Sequence, residues 1–354
     1  MTYVQTMTEK ETRVTINFQH RQAAHCESGA TAGLCRFQGI DISEQMAFGI
    51  GGGVFFGYFP FLRAAHIRIT TYRRPPGGIV CNAFRRLGIR YYRKNFWSRA
   101  RAARSVDEVL ERGQPVMCQT SLYWLPYFPP GMRIHFNAHH VVVCGREDGR
   151  YVISDPMLEE VVPLTGEELT RARFARGGMN PNGRMYWLRD NPEPRSVDLS
   201  RPILEGIRDV CYHMLVPPVP LLGVRGIRFM ARDVMRWKRK LPDDVVRENL
   251  SQIVYMQELV GSGGAGYRAM YAAFLAEAAD VMKSEELAEA GRKMTVIADQ
   301  WRDFAVLATR FVRGRPNPGD EYVAMSDALN SLASQEETLY RGLREYAKRT
   351  EASL

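Results

Sequence analysis

Cys26 stands where a thiol can become a nucleophile. It opens a stretch of helical periodicity that ends near Gly39. A helix start favours the thiolate through unpaired N–H groups and the helix dipole. Such a cysteine needs a base, and the base needs a group to orient it. Far downstream, Asn137-Ala138-His139-His140 leads into Val141-Val142-Val143. After Arg146–Arg150, whose Asp-Gly pair signals a hairpin, the partner strand ends in Ser154-Asp155-Pro156. Antiparallel pairing of these two runs sets a histidine beside the aspartate. Cys26, one of His139 and His140, and Asp155 therefore make a candidate triad. The period of two along a strand puts the two imidazoles on opposite faces, so only one of them can face Cys26.

The elements that must carry these groups follow two grammars. The first half mixes periods. Thr12–Phe18 alternates like a strand, and Ser43 caps a short helix running through Phe48. Glycines at 49, 51, 52 and 53 lead into the aromatic run Phe55–Phe61. Asn82–Leu87 and Val106–Arg112 read as helices closed by Gly88 and Gly113, and then come the apolar runs Pro115–Leu125, His140–Cys144 and Tyr151–Ser154. Helices followed by sheet give an α+β domain. Beyond about Ser200 the strand signals vanish, and Val245–Leu259, Tyr267–Met282, Glu285–Phe311 and Glu321–Arg349 read as amphipathic helices. The prolines in Asn191–Pro202 mark the boundary, which gives an α+β domain over residues 1–195 and an all-α domain over 196–354.

Composition narrows the class. The 354 residues are 45% hydrophobic and 25% charged, as in an ordinary globular chain. No apolar stretch reaches the ~18 residues of a spanning helix. No basic start followed by an apolar block suggests a secretory signal. Six cysteines without a CxxC pair argue against a disulfide framework, and no HExxH or carboxylate cluster argues for a metal, so a cytoplasmic, metal-free protein is expected. The net charge of +9 is one-sided: Gln45–Val106 holds twelve basic residues and no acidic one. Such a stretch could attract nucleic acid, an anionic membrane or an acidic protein.

His25-Cys26-Glu27-Ser28-Gly29-Ala30 and Ile42-Ser43-Glu44-Gln45-Met46-Ala47-Phe48-Gly49-Ile50-Gly51-Gly52-Gly53 resemble the opening of the butirosin biosynthesis protein H family. His139 to Gly145 and Asp155-Pro156 resemble its later motif. Gly261-Ser262-Gly263-Gly264 followed by Tyr267–Ala279 resembles the helical domain usually found C-terminal to it. The resemblance spans roughly residues 15–310, with its blocks in the family's order. It implies a papain-like cysteine acyltransferase domain followed by its helical domain. The family's namesake moves an aminoacyl-type chain from the phosphopantetheine arm of an acyl carrier protein to an amine of an aminoglycoside.

By that resemblance Cys26 is the nucleophile, His139 the base with His140 as the alternative, and Asp155 the orienter. Papain-like relatives often follow the base with one apolar residue before the strand valines, a register that favours His139. They also place a glutamine a few residues before the cysteine, which points to Gln22 as an oxyanion donor beside the Cys26 N–H. Glu44 either positions the Cys26 helix or complements the dipole of its own. The Gly49–Gly53 cluster lacks the lysine and hydroxyl of a phosphate loop, so Gly51 belongs to a tight backbone passage near the site. Gly263 and Gly264 either line the substrate cleft or form a flexible interhelical loop. The basic stretch Arg63–Arg104, with Arg73, Arg74, Arg85 and Arg86, is the expected docking face for an acidic acyl carrier protein. No cofactor is expected beyond the 4′-phosphopantetheine that the carrier brings, and the acceptor is a small molecule. Nucleic acid is disfavoured by the lack of a recognisable module. The helical half offers surface for a homodimer. Two other functions use the same residues: a cysteine hydrolase (thioesterase or peptidase), and a non-catalytic basic binding module.

Overall fold

The computed structural model describes residues 13–64, 67–190, 197–261, 263–315 and 319–353. In chain order the elements are β1 (Val14–Thr15), α1 (Cys26–Phe37), α2 (Glu44–Ile50), β2 (Val54–Ala64), β3 (Ile67–Arg73), α3 (Gly78–Arg86), β4 (Tyr91–Lys94) and α4 (Arg99–Leu110). They continue with β5 (Val116–Thr120), β6 (His139–Glu147), β7 (Arg150–Ser154), β8 (Val162–Leu164), α5 (Gly166–Arg173) and β9 (Met185–Leu188). Helices follow: α6 (Ser200–Leu215), α7 (Gly223–Lys240), α8 (Asp243–Glu258), α9 (Arg268–Met282), α10 (Glu285–Val312) and α11 (Glu321–Glu351). A sheet-bearing first half thus gives way to helices, the α+β then all-α order that the periodicities predict.

The chain forms two compact units: Met1–Asp41 with Ile89–Arg195, and Ile42–Gly88 with Ser196–Leu354. The expected boundary near Arg195 falls in residues 191–196, outside the described residues. Residues 42–88 group with the later helices, a pairing of distant segments that local periodicity does not report.

The first unit is built on an antiparallel sheet ordered β4-β9-β5-β6-β7-β8, with β1 on the far end of β6. Val141 and Val143 of β6 face a core shared with Val116 and Cys118 of β5, Ala102, Val106 and Val109 of α4, and Leu169 and Ala172 of α5. Ser98 caps α4 by accepting from Arg101 N–H, so this helix starts well before the expected Val106. Thr165 and Glu168 close a capping box on α5.

In the second unit the hairpin β2–β3 packs on α7 and α8, while α9, α10 and α11 make the long-helix core. Gly49 is required where α2 meets α9: a Cβ there would lie 2.1 Å from the Phe274 ring. Two helices, α6 and α7, escape the sequence reading because the proline-rich Val216–Leu222 interrupts their apolar pattern. That segment is a largely exposed loop, with Val216 and Val219 each 44% exposed. No helix among the described residues is long and apolar enough to cross a membrane.

Candidate active site

Cys26 is the first residue of α1, and the helix begins there for a local reason. His25 is extended at φ −125° and ψ 122°, and its ring accepts from Ser28 N–H, capping the helix. The Cys26 N–H lies in the first turn, where no intrahelical acceptor exists. The turn before the helix is fixed by Ala23 N–H donating to Pro156 O at 2.7 Å. Gly29 lets this first turn approach Asp155-Pro156: a Cβ there would sit 2.5 Å from Ala23 Cβ and 2.9 Å from Pro156 Cβ. Gly29→Ala is therefore expected to cost about 1–3 kcal/mol in urea unfolding. It should also move the Cys26 thiol towards its ordinary value, read by thiolate absorbance.

The histidine is chosen by the hairpin, and by one residue of it. Asp148 (φ 49°) and Gly149 (φ 72°) make the two-residue turn, with Glu147 opposite Arg150. A regular ladder from that turn would set Asp155 opposite Val142, on the face of His140. Instead the register shifts between Gly145 and Val143, leaving Cys144 as an extra residue. Beyond the bulge Val143 pairs Ile153 and Val142 pairs Ser154, so Asp155 shares a face with Val141 and His139. His139 Nε2 donates to Asp155 Oδ2 at 2.7 Å, which leaves Nδ1 for the thiol. Gly145 is held against β1, where a Cβ would lie 2.8 Å from Val14 O.

Asp155 is fixed on every side. Tyr127 O–H donates to Oδ2 at 2.8 Å, and Met157 N–H donates to Oδ1 at 3.0 Å. His20 bonds Ser154 Oγ at 2.7 Å and Leu158 O at 3.1 Å, clamping the chain on either side of the aspartate. Ahead of the histidines, Gln119 Nε2 donates to Asn137 O at 2.8 Å. Asn137 Nδ2 in turn donates to Gly178 O at 3.0 Å. Tyr127, His20 and Gln119 escape the sequence reading: each acts across a long sequence separation, and no motif marks it.

The electrostatics follow from burial and charge. Cys26 is 6% exposed, His139 1% and Asp155 0%. Burial works against the Cys26 thiolate, but the charge and hydrogen bonding of His139, with His140 behind it, outweigh burial. They bring the thiol from 9.0 down to about 6. Burial also opposes the imidazolium. Asp155 first, and then Cys26, overcome it and raise His139 to about 10. The Asp155 carboxyl, which burial would push up, is held below its ordinary value chiefly by His139. Thiolate, imidazolium and carboxylate in a row can serve as a nucleophile with an oriented acid–base. His140, also fully buried, reaches the thiol by hydrogen bonding and charge as well, so both histidines and not one alone favour the thiolate; among the described residues neither of its ring nitrogens has another hydrogen-bond partner.

The remaining expected residues fall differently. Gln22 is exposed in the irregular segment before α1. Glu44, Gly51, Gly263 and Gly264 belong to the second unit. There Glu44 is the half-buried first residue of α2, and Gly51 packs on Ile79. Gly263 and Gly264 take positive φ ahead of α9.

Three of the four docking arginines are corrected. Arg73 is 8% exposed. Arg74 donates to Asp209 Oδ2 at 2.6 Å and to Gly52 O at 2.9 Å. Arg86 pairs with the same carboxylate at 2.9 Å. Burial would raise Asp209, yet His213, Arg74 and Arg86 hold it at about 2. These cations are spent on a half-buried aspartate, and only Arg85 of the four is exposed.

Comparison with known proteins gives two family matches. Residues 25–156 match the family described as butirosin biosynthesis protein H, N-terminal, and residues 167–343 match a domain of unknown function, DUF4872. No curated protein matches the chain. Among solved structures, a C39-like peptidase from Bacillus anthracis is 16% identical with a TM-score of 0.36, covering 51% of this chain and 100% of that one.

Proposed function

We propose that this chain, which belongs to the DUF4872 family and whose residues 25–156 match the butirosin biosynthesis protein H N-terminal family, is an acyltransferase with Cys26 as its nucleophile. The donor is an acyl or aminoacyl thioester on the 4′-phosphopantetheine arm of an acyl carrier protein. The acceptor is the amine or hydroxyl of a small molecule in specialised biosynthesis. The observation that carries this reading is the buried row of Cys26 at the start of α1, His139 and Asp155, with His139 Nε2 donating to Asp155 Oδ2 at 2.7 Å.

Cys26 Sγ attacks the thioester carbonyl carbon while the Cys26 N–H at the helix start holds the developing oxyanion. The carbon–sulfur bond to pantetheine breaks, and the leaving thiolate takes the proton from His139. Acyl-Cys26 and a neutral imidazole remain. The acceptor nitrogen or oxygen then attacks acyl-Cys26, His139 takes its proton, and the Cys26 thiolate leaves. Asp155 holds the His139 ring in one orientation through both halves. A nucleophile with 6% exposure suits transfer, in which water must compete poorly with the acceptor.

Intact-protein mass spectrometry tests the reading. Incubation with a panel of acyl-loaded carrier proteins should add the acyl mass to the wild-type chain and not to Cys26→Ala. The adduct should persist until an amine is supplied. Prompt loss to water would assign the same triad to a hydrolase, and unchanged transfer in Cys26→Ala would end the proposal.

A further inference from the structure

In the first unit, one end of α4 carries a cluster of positive charge. Its first turn carries Arg99 and Arg101 and no acid, with Arg104 one turn on, and Arg101 and Arg104 are exposed. This placement opposes stability. Cations at a helix N-terminus repel the dipole, at roughly 0.3–1 kcal/mol each. With Ser98 as N-cap, position 101 is also where a glutamate would complete a capping box. Beside this turn, Trp97 is 99% exposed, a large aromatic with its full surface in solvent.

A cavity of about 900 Å³ opens at the same place, lined by Arg99 and Ala103 of α4, Thr170 and Arg171 of α5, Trp124 and Arg176. Arg171 lies over the Trp124 ring at 4.7 Å from its centroid, and Arg99 over Phe174 at 6.0 Å. The far edge of the cavity is tied to the candidate active site. The Arg176–Met179 backbone accepts from Asn137 and Gln119, the buried amides beside His139 and His140.

We infer that the start of α4 and the groove beside it form the docking face for an acidic protein partner, the carrier that delivers the acyl group. This rests on the acyl-transfer reading. Trp and Arg are the side chains that dominate protein interfaces, and a cationic face selects an acidic partner and speeds its arrival. The basic run Arg99–Arg104 covers about 8 Å of helix at 1.5 Å per residue, the reach of one or two helical turns of a partner. Asp107, Glu108 and Glu111 then end it, so the strip is too short to track a nucleic-acid backbone.

The test follows acylation of Cys26 by intact mass with two donors, the panel of acyl-loaded carrier proteins and a carrier-free acyl-pantetheine thioester. Arg101→Glu with Arg104→Glu should lower kcat/KM for the carrier donor by roughly tenfold or more. Changing acids of the carrier to lysine should restore part of the loss. In the wild type, added salt should slow the carrier reaction more than the carrier-free one. Arg101→Glu completes the capping box, so thermal unfolding of the variant should not fall, which separates lost docking from lost folding. Carrier kinetics equal to wild type in the double variant would overturn the docking face and leave the function standing. No acylation of wild-type Cys26 by either donor would instead remove the acyl-transfer reading itself. A single-stranded oligonucleotide bound more tightly than the carrier, and released by the same substitutions, would assign the face to nucleic acid and overturn the inference.

Discussion

His139→Ala is expected to empty the Cys26 thiolate at neutral pH. With the thiol at about 6, most of it is ionised at pH 7. Without His139, the burial that opposes the anion is no longer outweighed, and the thiol returns to its ordinary 9.0 or above. The ionised fraction at pH 7 then falls from ~90% to ~1% or less. Ultraviolet thiolate absorbance, with Cys26→Ala as the blank, reads this directly. Acyl transfer should fall further, by about 10²–10⁴, because the proton acceptor is lost as well. His140→Ala should move the titration less, since His140 ranks behind His139 in lowering the thiol. If His140→Ala empties the thiolate and His139→Ala leaves it in place, the roles of the two histidines are reversed.

The same pair sets the pH dependence. The thiolate forms as pH rises through about 6, and His139 keeps its proton until about 10, so acylation should rise across the first value and hold across the neutral range. Acylation removes the anion that helps raise His139. The imidazole of acyl-Cys26 therefore gives up its proton at a lower pH than in the free protein, which frees it to act as base on the acceptor. Single-turnover transfer from acyl-Cys26, which needs the neutral imidazole, should rise with pH through a midpoint below 10. A transfer profile identical to that of acylation would mean that His139 does not sense the thiolate.

These arguments show which parts of the site a sequence can carry. The start of α1 is legible because a helix N-terminus and its cap are local. The hairpin is legible because Asp148-Gly149 is a local turn. The choice of histidine is carried only by the family register that favours His139 and not by the local pattern, because it depends on the extra residue at Cys144, and an unbroken ladder from the same turn would have put Asp155 with His140. Tyr127 and His20 are silent for a related reason: their partners lie 28 and 134 residues away. The basic stretch misleads in the opposite direction. Composition counts the guanidiniums of Arg74 and Arg86 as surface charge, while Asp209, more than a hundred residues later, turns them into structure. Residues 42–88 are assigned to the wrong neighbour for the same cause, since β2 and β3 find their helices only after residue 220.

Arg268→Met is expected to destabilise the helical unit by about 3–5 kcal/mol, the usual cost of stranding one partner of a buried ion pair. Arg268 and Glu336 are both 0% exposed and joined by two bonds, Nε to Oε1 at 2.9 Å and a terminal nitrogen to Oε2 at 3.0 Å. Trp301 Nε1 donates to the same carboxylate at 2.7 Å. The Arg268 guanidinium also donates to Gly266 O at 2.8 Å and lies 5.2 Å from the Trp301 ring centroid. The pair thereby anchors the turn before α9, where Ala265, Gly266 and Tyr267 all take positive φ. The methionine variant leaves Glu336 in an apolar interior without its cation, with the Trp301 donor as its remaining partner among these. Adding Glu336→Gln removes the stranded charge and keeps an acceptor for Trp301, so the double variant should recover part of the loss. Urea unfolding of the two variants against wild type measures both terms, and a native domain has only about 5–15 kcal/mol to lose. If Arg268→Met costs less than about 1 kcal/mol, the glycine-rich turn is held by its neighbours rather than by this ion pair.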